Sequence, residues 1–406
     1  MKSRIIAMAL FMATAASVAF YPAYQSAGTL IKPALDPVTI DLPVIDPQTG
    51  ERPRVEVVFV LDTTGSMGGL IQAAKEKIWS IATTMASAQP APDIRMGLVA
   101  YRDRGDAYVT RVVDLSDDLD SVYATLMDFR ANGGGDGPES VNQALHDAVH
   151  KISWSQDSQA YRVVFLVGDA PPHMDYQDDI KYPETLTAAT ARGIMVNTIQ
   201  CGHHGSAKQE WERIASLGHG SYFQVEQAGS AVAIATPFDE KLARLSAKLD
   251  DTRLYYGTDE DKAKQRLKLD AADKLHAESS VESRARRATF NVSKSGVSNF
   301  LGDGELVDAV TSGRVDLSGI DSDKLPAAMQ AMAPAEQEAL ITETAARRNE
   351  LRQQVQELAE ERSAYLEKKV EELGGASDSL DDKIYRAVRE QAGKLGLRYE
   401  TDAPEY

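Results

Sequence analysis

Two stretches restrict the fold of this chain more than any others: VEVVFVL at 55–61 and YRVVFLVG at 161–168. Each is apolar at odd and even positions almost alike, a pattern a strand tolerates only when both of its faces are covered. The sequence around them alternates between strand-like and helix-like spacing. Positions 70–85 place Ile71, Ala74, Ile78, Ile81 and Met85 on one helical face. IRMGLVAY reads as a second strand, and AYVTRVVDL as a third, suited to pair with it as a hairpin. Helices are expected over 119–129, 140–152, 185–192 and 207–217, and strands at GIMVNTIQC and SYFQV. Such alternation predicts an α/β fold over 54–236: a doubly wound, mostly parallel sheet flanked by helices.

After Gln227 the strands stop, and a helical C-terminal extension is expected. A helix is predicted over 238–248. The stretch 257–299 is charged and rich in Ala and Ser, and its basic cluster Arg284, Arg286 and Arg287 reads as a solvated helix face. Short polar segments with Gly and Pro over 301–332 read as weakly structured, so 237–333 is expected to be mixed and partly helical. Positions 334–374 are dense in helix formers. Leu351, Val355, Leu358, Leu366 and Val370 mark an apolar stripe there without a strict heptad. Two readings stand side by side for it: one helix packed on its own domain, or a coiled coil through which the chain self-associates. Gly374-Gly375 ends that helix, and 375–406 reads as a short helical tail.

The first residues carry Lys2 and Arg4 ahead of an apolar run, with small residues at Ser17 and Ala19. That is the pattern of a secretory signal over 1–24, with an uncleaved N-terminal membrane anchor as the alternative. Either reading predicts an exported protein, periplasmic or secreted, or held at the inner membrane. The Pro-, Asp- and Thr-rich 25–53 reads as a linker. A formal charge of -17 argues against nucleic acid as the main partner. Cys201 is the only cysteine, so an intrachain disulfide is excluded.

In parallel α/β sheets, ligands bind beyond the carboxyl ends of the strands. Asp62, at the end of VVFVLDTTGSMGG, and Asp169, in FLVGDAPPH, both lie at such ends. The glycine-rich ANGGGDGPES between them adds Asp136 and Glu139. With the hydroxyls of Thr64 and Ser66 these are oxygen donors only, a set that suits a hard cation: Mg2+, or else Ca2+ or Mn2+. Gly65, Gly68 and Gly69 would let the chain bend and the ligand approach. Gly65, Gly135 and His173 are expected at the rim.

DTTGS resembles the Asp-x-Ser/Thr-x-Ser signature of the von Willebrand factor type A domain. GGGDGPE with GDAPPH is similar to that family's bacterial, exported branch. The resemblance covers about 54–225 and implies a Rossmann-like fold with a metal-ion-dependent adhesion site, or MIDAS. It implies metal ligation by Asp62, Thr64 and Ser66 from the first loop and by Asp169 from the third. It also implies recognition of another protein, whose acidic residue completes the metal shell. One position departs from the pattern. Where the family's second loop carries a Thr, counting back from Ala144-Leu145 reaches Glu139, so Glu139 or Asp136 would ligate directly or through water.

DTTGS also resembles the Asp-x-Thr-Gly-Thr of phosphotransferases that use an aspartyl nucleophile, which would make Asp62 the attacking group of a Mg2+-dependent phosphohydrolase. Three features weigh against that reading: no lysine in a matching context, Thr64 where the hydrolases carry a second Asp, and an exported location without ATP. A third reading is a structural scaffold acting through the C-terminal helices. Cys201-Gly202-His203-His204 lacks the spaced second pair of a zinc site, and Arg104-Gly105-Asp106 carries little weight. Trp79, Trp154 and Trp211 are assigned to packing. The sequence thus predicts a non-enzymatic, metal-dependent binding module.

Overall fold

The structure, a computed structural model, describes residues 52–135, 137–227, 234–372 and 379–399. The leader or anchor at 1–24, nearly all of the 25–53 linker, Asp136 and Gly374-Gly375 lie outside the described residues.

The two apolar runs become the adjacent central strands of a six-stranded sheet, β1 (Arg54–Asp62) and β4 (Tyr161–Gly168). The order is β3-β2-β1-β4-β5-β6, completed by β2 (Asp93–Tyr101), β3 (Thr110–Ser116), β5 (Ile194–Cys201) and β6 (His219–Val225). Only edge strand β3 is antiparallel, paired to β2 as the hairpin expectation required. Along β1, Val55, Val57, Phe59 and Leu61 enter one core, while Val58 and Val60 enter the other. The second core is closed by α3 (Val141–His150), α4 (Tyr182–Ala191) and α5 (Gly205–Leu217). On the first face lie α1 (Gly68–Ala86) and α2 (Leu119–Asp128). All three tryptophans are buried.

The extension comprises α6 (Asp239–Asp250), α7 (Asp259–Glu278), α8 (Val281–Val292), the short α9 (Val297–Leu301) and α10 (Leu306–Thr311), α11 (Pro334–Glu372) and α12 (Leu380–Gly393). Two expectations fail here. The basic cluster is not a solvated face: Arg286 is 3% and Arg287 1% exposed. Arg287 forks onto both oxygens of Asp120 at 2.6 Å and reaches Asp250 Oδ2 at 2.7 Å, so acidic residues distant in sequence make its burial tolerable. Nor is 301–332 weakly structured, since Leu306, Val307, Leu317, Leu325 and Met329 form a small core with Ile341 of α11.

The stripe of α11 is covered within the chain: Leu351, Val355 and Leu358 pack on Leu242, Leu245 and Leu249 of α6 and on Ala285 and Ala288 of α8. The tail is more than an appendage. Ile384, Tyr385, Val388 and Ala392 of α12 sit in the first core beneath the sheet. Gln391 there exchanges hydrogen bonds with Asn197 of β5 and accepts one from the Tyr161 hydroxyl. Buried Lys77 of α1 meets Asp381 at 2.6 Å. Among the described residues, no helix is long and apolar enough to cross a membrane.

Candidate metal centre

The strand order reverses direction at β1 and β4, and Asp62 ends β1 at that point, fully buried. Its Oδ1 accepts the Thr64 amide at 2.8 Å and the Thr64 hydroxyl at 2.6 Å, which holds the carboxylate in place. Its Oδ2 has no partner. Ser66, in the 3-10 turn Gly65–Met67, brings its hydroxyl to 3.5 Å from that of Thr64. Gly168 makes this crowding feasible. A Cβ there would lie 2.4 Å from the Tyr101 hydroxyl and 3.0 Å from the Asp62 Cβ.

The second loop is clamped to the first by Asn132 N donating to Thr63 O and Gly65 N donating to Gly133 O. The bend that requires glycine is in this second loop, at Gly133 and Gly134 with φ of +78° and +75°, and not at Gly65, Gly68 or Gly69. Gly65 serves close approach instead, since a Cβ would sit 3.2 Å from Gly133 O. Across Gly134, the Glu139 carboxylate and Thr64 converge: a Cβ on that glycine would lie 3.2 Å from Glu139 Oε1 and 3.3 Å from the Thr64 Cβ. The third loop is tied to the second by Glu139 N donating to Pro171 O and His173 N donating to Glu139 O. Asp169 follows Gly168, is half-buried, and accepts Gln227 Nε2 at 2.7 Å.

The electrostatics of this crevice are one-sided. Burial, opposed by the Thr64 hydrogen bonds and reinforced by Asp169, pushes the Asp62 carboxyl up to about 7. Burial, with repulsion from Asp62, Asp103, Asp106 and Asp169, pushes Glu139 up to about 9. Glu139 is buried and its Oε2 is unpartnered, as is the buried Tyr101 hydroxyl. Arg102, the cation nearest in effect, is turned to the carbonyls of Thr63 and Arg130. Unsatisfied oxygen atoms of one sign, with hydroxyls alongside, fit a hard cation. Among the described residues, no three His, Cys, Asp or Glu side chains group closely enough to hold an ion by themselves. A set built on Asp62 and Asp169 would therefore need Thr64, Ser66 and water to complete it, with Glu139 suited to contact through a water.

His173 turns its ring to Asp103 and Asp175 rather than to Asp62 or Asp169. Its Nδ1 lies 2.8 Å from Asp175 Oδ1, its Nε2 3.4 Å from Asp103 Oδ2, and its ring stacks on Tyr176. Gly135 is exposed with open space around it. Tyr101, Asp103, Asp106 and Gln227 escaped the sequence reading. Only Tyr101 had a signal, as the end of β2 in register with Asp62. Asp106 accepts Gly134 N and Arg104 pairs with Asp178, so the Arg-Gly-Asp tripeptide is engaged within the loops. Cys201 is buried in the sheet while His203 and His204 are exposed, which separates that trio.

Residues 56–237, less than half of the chain, match the family described as von Willebrand factor A domain. A von Willebrand factor A domain-containing protein 7 of Rattus norvegicus is 37% identical over 120 residues, which are 30% of this chain and 12% of that protein. The alpha-protein kinase vwkA of Dictyostelium discoideum is 31% identical over 121 residues, 29% of this chain and 19% of the kinase. The chain thus spans less than a fifth of the length of these curated relatives. Among solved structures, the SpRpn10 VWA domain aligns at 13% identity with a TM-score of 0.33, covering 43% of this chain and 89% of that one. But for Arg54 and Val55, the six-stranded doubly wound sheet lies within the matched residues 56–237, so sequence and fold together support a von Willebrand factor A-like domain there.

Proposed function

We propose that this domain is an exported, non-enzymatic recognition module that holds one divalent cation, Mg2+ or else Ca2+ or Mn2+, and binds a partner protein through it. Von Willebrand factor A domains generally mediate protein–protein interactions and commonly bind a divalent metal, which supports the reading. The observation that carries it is the unpartnered Oδ2 of fully buried Asp62, beside the unpartnered Oε2 of Glu139. Asp62, Thr64, Ser66 and Asp169 would hold the ion, and Glu139 would accept from a water on it. A bound divalent cation supplies positive charge and open coordination positions, and a carboxylate of the partner is the donor that suits one of them. Glu139 adds negative charge where a neutral hydroxyl would leave the ion more electropositive, so acidic partners should bind weakly and reversibly. The exported location rests on the charged-then-apolar N-terminus, and self-association through α11 is not needed, because its stripe is covered within the chain.

The test is thermal unfolding of the parent and of Asp62→Ala with Mg2+ or EDTA. The parent should gain about 5 °C at a hundredfold excess over Kd, and the variant should keep its fold and show no gain. Identical responses from both would remove the metal site. Capture of a partner from the native envelope should likewise be lost in EDTA.

A further inference from the structure

A second buried group lacks a partner, and it has the opposite sign. Arg286 of α8 is 3% exposed, and none of Nε, Nη1 and Nη2 makes a hydrogen bond. Its neighbours leave a cavity of about 30 Å³ lined by Ser80 and Thr83 of α1, Thr289 of α8, and Ala359, Arg362 and Ser363 of α11. A cavity of that size holds roughly two waters or one monatomic anion. The hydroxyls of Thr83 and Thr289 donate back to Trp79 O and Ala285 O, so their protons are not offered to the space.

Among the described residues, no carboxylate of the neighbourhood hydrogen-bonds Arg286. Asp381 Oδ2 accepts Lys77 while its buried Oδ1 has no partner, Asp239 accepts Arg362 Nε and the Thr236 amide, and Glu76 accepts the Ser280 hydroxyl. Burial and the neighbouring Arg362 pull Arg286 down to about 10, so it still carries its charge at neutral pH. A charged fork with five N–H groups, sealed from water and unpaired, is costly unless an acceptor of negative charge joins it.

We infer that the cavity between α1, α8 and α11 is a binding site for a small inorganic anion of chloride size, held by the Arg286 guanidinium beside Arg362. The ion would bridge the von Willebrand factor A-like domain, through α1, to both helices of the extension that pack there. This site is independent of the metal crevice at the strand ends.

The full chain in EDTA, in sodium gluconate, is titrated with sodium chloride or bromide at constant ionic strength, alongside Arg286→Met. The parent should show a saturable rise in Tm of at least about 2 °C that the variant lacks. Sulfate, too large for the space, should produce no difference between the two proteins. Crystals of the parent soaked in bromide should show an anomalous peak in the cavity, a result that stands even if Arg286→Met does not fold. An equal chloride response in both proteins, a sulfate-specific response, or an empty cavity after the soak would each overturn the site. Water, or Asp381 after a side-chain turn, would then be what satisfies the guanidinium.

Discussion

The crevice at the ends of β1 and β4 and the seam between the sheet domain and its helical extension both bury charge, and they treat it in opposite ways. At the seam, Arg287 lies between Asp120 and Asp250, and Lys77 faces Asp381, each at 2.6 or 2.7 Å. Within the extension, Arg362 faces Asp239 at 2.7 Å and Arg348 is likewise forked onto Glu305. At the crevice, Asp62 and Glu139 are buried with like charges for neighbours. Opposite charges paired at close range hold elements of one chain together, whereas like charges held together need something that is not part of the chain. Arg286 is the exception at the seam, and by the same reasoning it points to an anion.

The sharpest way to break this comparison is to remove the central cation of the seam. Arg287→Ala leaves Asp120 and Asp250 buried without their main partner and should cost about 3–5 kcal/mol of unfolding free energy, read by urea denaturation. A loss near zero would mean that the seam charges are solvated and that the contrast is false. Asp62→Ala in EDTA should cost far less, because the carboxylate it removes has too little compensation already.

The two regions should also respond to pH in opposite directions. Despite burial, Arg287 holds Asp120 and Asp250 below the usual carboxylate range. Their stabilisation is therefore present above about pH 4 and lost as pH falls through their folded values. Asp62, raised to about 7, and Glu139, raised to about 9, have the reverse sign. In EDTA their contribution is complete below about pH 4 and fades as pH rises through 7 and then 9. Metal-free protein should lose stability from pH 5 to pH 9, and Glu139→Gln should recover on the order of 1–3 kcal/mol at pH 9. A parent and variant with parallel profiles in EDTA would show that Glu139 ionises freely.

The sheet was legible because its signal is local: VEVVFVL and YRVVFLVG carry two-sided burial in their own composition. The turn that carries Asp62, Thr64 and Ser66 was legible for the same reason, since the three lie within five consecutive residues. The failures come from contacts that no local pattern encodes. Arg286 and Arg287 read as solvated because Asp120, which compensates Arg287, lies 167 positions away in sequence. The α12 stripe of Ile384, Tyr385, Val388 and Ala392 was visible as a helix, but nothing in it says that it returns beneath β4 and β5. The nearness of His173 to Asp169 in sequence points to the rim, yet the turn after Pro172 carries its ring to Asp103.

The smallest expected effect tests how finely the crevice is drawn. The Tyr101 hydroxyl is buried without a hydrogen bond, and burial together with Asp62, Glu139 and Asp169 holds its pKa well above 10. It is thus a neutral phenol with acceptors nearby and none engaged. Tyr101→Phe removes an unsatisfied polar group while keeping the ring, so metal-free stability should be unchanged or rise by up to about 1 kcal/mol. Mg2+ affinity, measured by calorimetry, should move by less than about threefold, because the proposed donors are Asp62, Thr64, Ser66 and Asp169. A loss above about 1.5 kcal/mol would mean that the hydroxyl donates to a carboxylate after all. The crevice would then hold its negative charge partly by its own means, and its contrast with the seam would be one of degree.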